Sequence, residues 1–214
     1  MTEQPVFLSA GSIRLQGMFS PASPDSPHPA AVICHPHPAY GGTMDNNVVL
    51  AVTRALQDTG HSTLRFNFRG VGRSEGRHAG GAGEIEDVRA AIRFVQEEAE
   101  SGDSSIILAG YSFGSWVAAN VLGGDSSVSH LILVAPPTSM FDFSMLSEDE
   151  EERARHFIVG ERDQFCDLDL LRDIFDRLPE PKTIRVVPRA DHFFFAREAA
   201  VVEAVKEAIA DHLA

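Results

Sequence analysis

Short, almost uninterrupted apolar runs alternate with amphipathic segments from residue 30 onward, and this alternation limits the fold more than any other feature. The runs include AVIC, SIILA, LILVA, FIVG and IRVV, a pattern typical of parallel strands that are covered on both faces. We predict strands at 5–9, 13–19, 30–34, 62–68, 105–109, 130–134, 155–159 and 183–187. Helical spacing predicts helices within 43–60, 83–102, 113–122, 167–178 and 197–213. The short SAGS turn predicts an antiparallel hairpin of the first two strands at one edge. We therefore expect an α/β fold with an eight-stranded, mostly parallel sheet and helices on both faces.

Length and charge narrow the class of protein. A chain of 214 residues buries about 70% of its unfolded surface, so we expect one domain over residues 1–214. The net charge of −13 repels phosphate backbones and anionic lipids, so we expect no nucleic-acid or membrane partner. The N-terminus MTEQPVFLSAG has no secretory pattern, and no run has the roughly 18 apolar residues of a membrane span. These features favour a cytoplasmic protein, in which Cys34 and Cys166 are too few for a disulfide framework and are predicted to be structural.

The pentapeptide GYSFG, residues 110–114, lies directly between a predicted strand and a predicted helix. This is the G-x-S-x-G pattern of a nucleophile elbow, in which a sharp turn holds a serine hydroxyl out of the sheet. The flanking Gly110 and Gly114 remove Cβ atoms that would collide where strand and helix close on each other. The pattern predicts Ser112 as a nucleophile.

A serine nucleophile needs a base, and the base needs an acid that orients it. Proteins with this elbow carry the three groups in the order Ser, acid, His. Asp163 follows the strand RHFIVG, and His192 follows the strand TIRVV, so both are predicted at the edge of the sheet where Ser112 lies. Glu161 and Asp191 are the alternatives for the acid, although Asp191 adjoins His192 and is poorly placed to reach its ring.

The tetrahedral intermediate of acyl transfer needs two hydrogen-bond donors for its oxyanion. One is the backbone N–H of the residue after the nucleophile, Phe113, and the other comes from the loop HPHPAYGG, residues 35–42. Pro36 and Pro38 have no N–H, so the backbone of His37 is the predicted donor and Tyr40 is the alternative.

Two further patterns resemble parts of other sites, a dinucleotide-binding loop and a metal site. The segment RFNFRGVGRSEG has Glu75 where a dinucleotide-binding fingerprint requires its third glycine, so no dinucleotide site is predicted there. His35 and His37 alternate with prolines and lack further ligands, so no metal site is predicted. No cofactor is expected.

The segments CHPHPAYGGTMDNNVV, RFNFRGVGRSEG, GYSFG, GERDQF and ADHFF together resemble a group of small bacterial α/β-hydrolases described as esterases or hydrolases. The resemblance spans most of the chain. It implies the α/β-hydrolase fold and, each at its own matching position, the roles of Ser112, Asp163 and His192. It also implies that RFNFRGVGRSEG is the loop after the fourth strand, in which Arg69 and Ser74 are structural. A glycine commonly follows the first histidine in the wider superfamily, whereas this chain has Pro36.

Only a short excursion, 136–154, is available to cover the site, so no large cap domain is expected and this segment is predicted to be at most a small lid. Its acidic run at 148–152 is predicted to be the solvated start of a helix. The candidate pocket residues are Tyr40, Met140, Phe141, Phe143 and Phe193. The run Phe193 to Phe195 lines the site or packs the last helix.

These features predict a serine hydrolase, first of all a carboxylesterase that cleaves small or short-chain acyl esters through an acyl-enzyme. The partner is then a small-molecule ester. A thioesterase or peptidase with the same three residues, and a ligand-binding protein without catalysis, are the alternatives.

Overall fold

The computed structural model describes residues 2–23, 26–98, 105–122, 125–149 and 151–210. Its strands are β1 (Gln4–Ala10), β2 (Ile13–Ser20), β3 (Ala30–Cys34), β4 (Thr63–Phe66), β5 (Ile106–Tyr111), β6 (Val128–Val134), β7 (Ala154–Gly160) and β8 (Lys182–Val187). Its α-helices are α1 (Asn47–Asp58), α2 (Ala82–Glu98), α3 (Phe113–Val121), α4 (Met145–Glu148), α5 (Leu168–Arg177) and α6 (Glu198–Ala210), and a 3-10 turn spans Pro38–Tyr40. The predicted helical residues 99–102 and 211–213 lie outside the described residues.

All eight strands form one sheet in the order β1-β2-β4-β3-β5-β6-β7-β8. The pairs β1–β2 and β2–β4 are antiparallel, and every later pair is parallel. The predicted eight-stranded α/β-hydrolase fold, with its edge hairpin and without a large cap domain, is therefore confirmed. Because parallel strands share their direction, the loops after β3, β5, β6, β7 and β8 all emerge at one edge of the sheet, which we call the carboxyl edge.

Helices cover both faces of the sheet because the strands bury side chains in both directions. On one face, α1 and α6 pack over a core that includes Val52, Leu56, Ile132 and Val205. On the other face, α2, α3 and α5 pack over a larger core. The helix predicted within 43–60 begins at Asn47, because the Asn46 side chain accepts a 2.9 Å hydrogen bond from Val48 N–H and caps it.

Glu150 lies outside the described residues, and none of the other residues of the acidic run at 148–152 begins a helix, so that prediction was wrong. Glu148 ends the four-residue helix α4. The side chain of Asp149 is only 4% exposed and pairs with Arg153 at 2.9 Å and Arg155 at 2.6 Å. Two buried guanidinium groups at the start of β7, four and six residues further along the chain, therefore draw Asp149 inward, because a buried charge needs a partner.

Backbone strain is concentrated at the carboxyl edge. Among the residues that the structure describes, five that are not glycine have a positive φ, between 48° and 60°: Ser112, Ala135, Arg189, Phe194 and Ala196. All five follow β5, β6 or β8. Such conformations persist only where surrounding structure imposes them, and they cluster at functional sites. No helix in the described part of the chain is long and apolar enough to cross a membrane.

Candidate active site

Ser112 lies on a strained turn between β5 and α3, with φ 55° and ψ −122°. Its N–H donates to Val134 O at 2.9 Å, which ties the turn to β6. A Cβ atom at Gly110 would lie 2.3 Å from Gly114 O, and one at Gly114 would lie 2.5 Å from Cys34 O. Both glycines are therefore required by close backbone approaches, and the turn can form only with hydrogen at these positions.

Ser112, His192 and Asp163 form one continuous hydrogen-bonded array at the carboxyl edge. His192 Nε2 lies 2.9 Å from Ser112 Oγ, and His192 Nδ1 lies 2.9 Å from both carboxylate oxygens of Asp163. The Asp163 side chain is fully buried, and its Oδ1 also accepts hydrogen bonds from the N–H groups of Phe165 and Cys166. This arrangement holds Nδ1–H toward the carboxylate, so Nε2 is free to accept the hydroxyl proton of Ser112.

The alternative acids have other partners. Glu161 accepts a 2.7 Å hydrogen bond from Arg189 N–H, and Asp191 accepts a 3.0 Å hydrogen bond from Phe193 N–H. Both carboxylates hold the backbone of the loop that carries His192, rather than its ring. The structure brings Asp163, and neither of these, to His192.

Two residues that the sequence analysis missed donate hydrogen bonds to the backbone of the loop that carries His192. The buried hydroxyl of Tyr111 donates a 3.0 Å hydrogen bond to His192 O. Asn47, the first residue of α1, donates from Nδ2 to Phe193 O at 3.2 Å and to Glu198 at 2.9 Å. Burial raises the pKa of Tyr111 well above its ordinary value, with a smaller contribution from the Asp163 charge, so the phenol keeps the proton that it donates.

Phe113 N–H and His37 N–H are the two predicted oxyanion donors. Phe113 is the first residue of α3, where an N–H has no acceptor within the helix. His37 lies at the N-terminal cap of the 3-10 turn. Tyr40 N–H, the alternative donor, is already bonded to His37 O at 3.1 Å. The rings of His37 and Phe113 are in contact, with centroids 4.7 Å apart, and both residues line the same groove.

A buried carboxylate supports this pair through a third histidine that the sequence analysis also missed. His78 Nδ1 lies 2.9 Å from the buried Glu84, and the His78 ring contacts those of both His37 and Phe113, with centroids 4.9 and 5.7 Å away. Burial lowers the pKa of His37 below its ordinary value, and the nearby His78 lowers it further. His37 Nδ1 accepts a hydrogen bond from Ala39 N–H, which places the proton of the neutral ring on Nε2.

The other residues singled out from the sequence have structural contacts. His35 is fully buried, with Nδ1 2.6 Å from Pro36 O and Nε2 accepting from Phe68 N–H at 3.0 Å, so both ring nitrogens are used. Arg69 pairs with the buried Asp87 at 2.7 Å. Ser74 Oγ donates to Asn67 O at 2.7 Å and closes its own loop.

A groove of about 610 Å³ opens directly over Ser112. Its lining includes four of the predicted pocket residues, Tyr40, Met140, Phe141 and Phe193, together with Phe165. Phe143 does not belong to it: this side chain is 2% exposed and packs in the core beside α3 and α4, because the chain turns inward there toward Leu146. Of the remaining phenylalanines, Phe194 is buried under α6, and Phe195 is 70% exposed and stacks on Phe193.

Comparison with known proteins identifies the class that this fold and site define. Residues 32–165 match the sequence model of the alpha/beta hydrolase fold family, and the chain belongs to that family, as the resemblance implied. An uncharacterized protein of Rickettsia prowazekii is 33% identical over 97% of this chain and 87% of its own length.

Two solved structures are similar over nearly the whole chain. An alpha-beta serine hydrolase homologue from Coxiella burnetii is 33% identical, with a TM-score of 0.86 over 97% of each chain. A serine hydrolase without a lid from Xanthomonas campestris is 29% identical, with a TM-score of 0.86 over 99% of this chain and 95% of its own. The protein is thus an α/β-hydrolase whose relatives include serine hydrolases.

Proposed function

We propose that the protein is a carboxylesterase that cleaves small, short-chain acyl esters. The observation that supports this most strongly is the unbroken array of Ser112, His192 and Asp163, with 2.9 Å at each step. The array lies at the floor of an open groove, beside two backbone N–H groups. These are the parts that acyl transfer to serine requires.

In the proposed reaction, Ser112 Oγ attacks the ester carbonyl carbon while its proton passes to His192 Nε2. The carbonyl oxygen takes the electron pair and is held by the N–H groups of Phe113 and His37. The intermediate then collapses, the bond to the alcohol oxygen breaks, and His192 returns the proton to that oxygen. Water repeats the sequence on the acyl-enzyme and releases the acid, while Asp163 orients His192 throughout and stabilises its charged form.

The segment 136–154 acts in this proposal as one fixed wall of the groove. It contributes Pro137, Met140 and Phe141 to the lining. The indole N–H of Trp116 donates to Asp142 O at 3.0 Å, and the ring of Phe141 stacks on Trp116 with centroids 4.9 Å apart, so α3 anchors the wall.

The proposal is tested with a fluorophosphonate probe and with p-nitrophenyl esters of increasing acyl length. Wild-type protein should be labelled at Ser112 and should release p-nitrophenol. Ser112→Ala should lose both activities, while Ser147→Ala, a change of an exposed serine in α4, should retain them. Turnover of peptide amides or of thioesters but not of oxygen esters would replace this proposal with a peptidase or a thioesterase. Neither labelling nor turnover by folded protein would favour a ligand-binding role.

A further inference from the structure

The groove over Ser112 contains no charged partner for an ionic substrate. Among the described residues that line it there is no Asp, Glu, Lys or Arg, and its titratable side chains are His37, Tyr40, Tyr111 and His192. The lowered pKa of His37 keeps that ring neutral at neutral pH. An anionic substrate would therefore meet the field of a chain with net charge −13 without a local cation to offset it.

Arg162 and Arg189, each three residues before a groove residue, do not line the groove. Two further arginines, Arg69 and Arg73 in the segment after β4, are engaged elsewhere. Arg69 pairs with the buried Asp87, and the guanidinium of Arg73 lies over the ring of Phe7, 5.0 Å from its centroid. Phe7 belongs to β1, at the opposite end of the sheet order from β8. Neither Arg69 nor Arg73 lines the groove.

The groove has two aromatic sides, and the chemistry of the array distinguishes them. The leaving oxygen must come within hydrogen-bond reach of His192 Nε2 to receive its proton. The side next to His192 is formed by Phe165 and Phe193, whose ring centroids lie 4.8 and 5.6 Å from that of His192, both edge to face. The rings of Phe165 and Phe193 also contact each other, with centroids 6.4 Å apart, so the departing alcohol lies against this pair of rings.

The acyl group must extend away from His192, toward the side that α3 supports. There Phe141 stacks on Trp116 and lies 5.9 Å from the ring of Phe113, and Met140 stands at the mouth with 53% of its surface exposed. Met140 and Phe193 are both exposed apolar residues that line the groove. An apolar substrate would cover both of them at once.

We propose that the groove selects uncharged esters with an aromatic leaving group on the Phe165 and Phe193 side and an apolar acyl group on the Phe141 and Met140 side. This inference rests on the proposed esterase function. Aromatic rings favour the edge-to-face and offset geometries that the first side offers, and the flexible Met140 adapts to acyl groups of different shape.

The charge selection is tested with two p-nitrophenyl esters of similar length, the butyrate and the singly anionic hemisuccinate. We expect kcat/KM to be at least about thirtyfold higher for the butyrate, and added salt to raise the value only for the anion because it screens the field of the chain. Equal values, or a faster anionic ester, would overturn the charge selection.

The two sides are tested by measuring acylation and deacylation separately in a pre-steady-state burst. The acyl-enzyme no longer contains the alcohol, so Phe193→Ala should slow acylation by p-nitrophenyl butyrate about tenfold and leave deacylation within about twofold. Phe141→Ala should slow both steps because the acyl group is present in both. Phe7→Ala is the matched control: Phe7 is 40% exposed, close to the 42% of Phe193, and does not line the groove.

The outcomes separate this inference from the proposed function. An equal loss in both steps for Phe193→Ala would mean that Phe193 acts by holding His192, and would overturn the assignment of the leaving group. If Phe141→Ala slowed acylation alone and Phe193→Ala slowed deacylation as well, the leaving group would lie on the Phe141 side and the acyl group on the Phe193 side. In each of these cases a burst that depends on Ser112 would still support the esterase. If the probe does not label Ser112 in the wild-type protein, the esterase proposal itself is wrong.

Discussion

The hydroxyl of Tyr111 donates a 3.0 Å hydrogen bond to the backbone carbonyl of His192, so the residue before Ser112 holds the residue whose ring contacts the Ser112 hydroxyl. The two lie 81 positions apart in the chain, on the strand end of β5 and in the loop after β8. The floor of the groove is therefore stabilised by a contact between the first and the last loop of the array.

Tyr111→Phe should weaken this contact without creating a cavity. The carbonyl of His192 would lose its buried donor, which costs about 1–3 kcal/mol of the free energy of unfolding. We also expect kcat for p-nitrophenyl butyrate to fall about tenfold with KM nearly constant, because His192 is less well oriented. Denaturant titration and steady-state kinetics measure the two effects. A stability loss with unchanged kcat would show that the bond is only structural.

Asp163→Asn should be far more damaging than a change of either alternative acid. The amide cannot hold the same tautomer of His192, so we expect kcat to fall by about four orders of magnitude while the protein remains folded. Glu161→Gln retains an acceptor for Arg189 N–H, so kcat should change less than about threefold. A comparable loss in both variants would argue against Asp163 as the acid.

Gly114→Ala should destabilise the elbow by backbone collision. The new Cβ would lie 2.5 Å from Cys34 O and 2.6 Å from His35 O, so β3 and α3 must separate, at a cost of about 3 kcal/mol. Gly11→Ala is the contrast, because Gly11 has a φ of +64° but no atom within 4 Å of the added Cβ, and only the backbone strain of roughly 1 kcal/mol remains. Thermal unfolding compares them, and equal losses would contradict the close approach.

Stability should fall with acid because His35 is buried in its neutral form. Burial lowers its pKa from 6.5 to about 4. Above pH 6.5 both states are neutral; between 6.5 and 4 the unfolded chain binds a proton that the folded protein does not. The free energy of unfolding should therefore decrease through this window, by up to about 3 kcal/mol from this residue.

Denaturant titrations over that pH range should show a shallower dependence in His35→Gln than in the wild-type protein. An unchanged slope in His35→Gln would show that other groups cause the acid sensitivity. The comparison of slopes is needed because burial also lowers the pKa of His61, which adds to the same trend.

Local features were predictable from the sequence because local physics decides them. A Cβ atom at Gly110 or Gly114 would collide with atoms of the same five-residue turn or of the adjacent end of β3, so both positions need glycine. The apolar runs determine which segments form the sheet. The chain order of Ser112, Asp163 and His192 was sufficient to find the residues that the structure brings together, since parallel strands end at one edge.

Contacts between distant segments were not predictable in this way. Nothing near His78 in the sequence indicates that its ring lies against His37 and Phe113. Phe141 and Phe143 have the same spacing and character, yet only Phe141 lines the groove, because the direction of an irregular segment depends on what it packs against. The inward position of Asp149 depends on arginines only four and six residues away, but their burial at the start of β7 is set by the packing of the sheet and not by the charge pattern.

The positive φ angles at the carboxyl edge suggest where this lineage can adapt to heat. Arg189 and Ala196 are exposed, so glycine at either position would relieve roughly 1 kcal/mol of backbone strain without removing core contacts. The same substitution at Phe194 would empty part of the core under α6. Glycine in these exposed turns after β8 would raise heat resistance only by the excess of the relieved strain over the larger unfolded-state entropy of glycine.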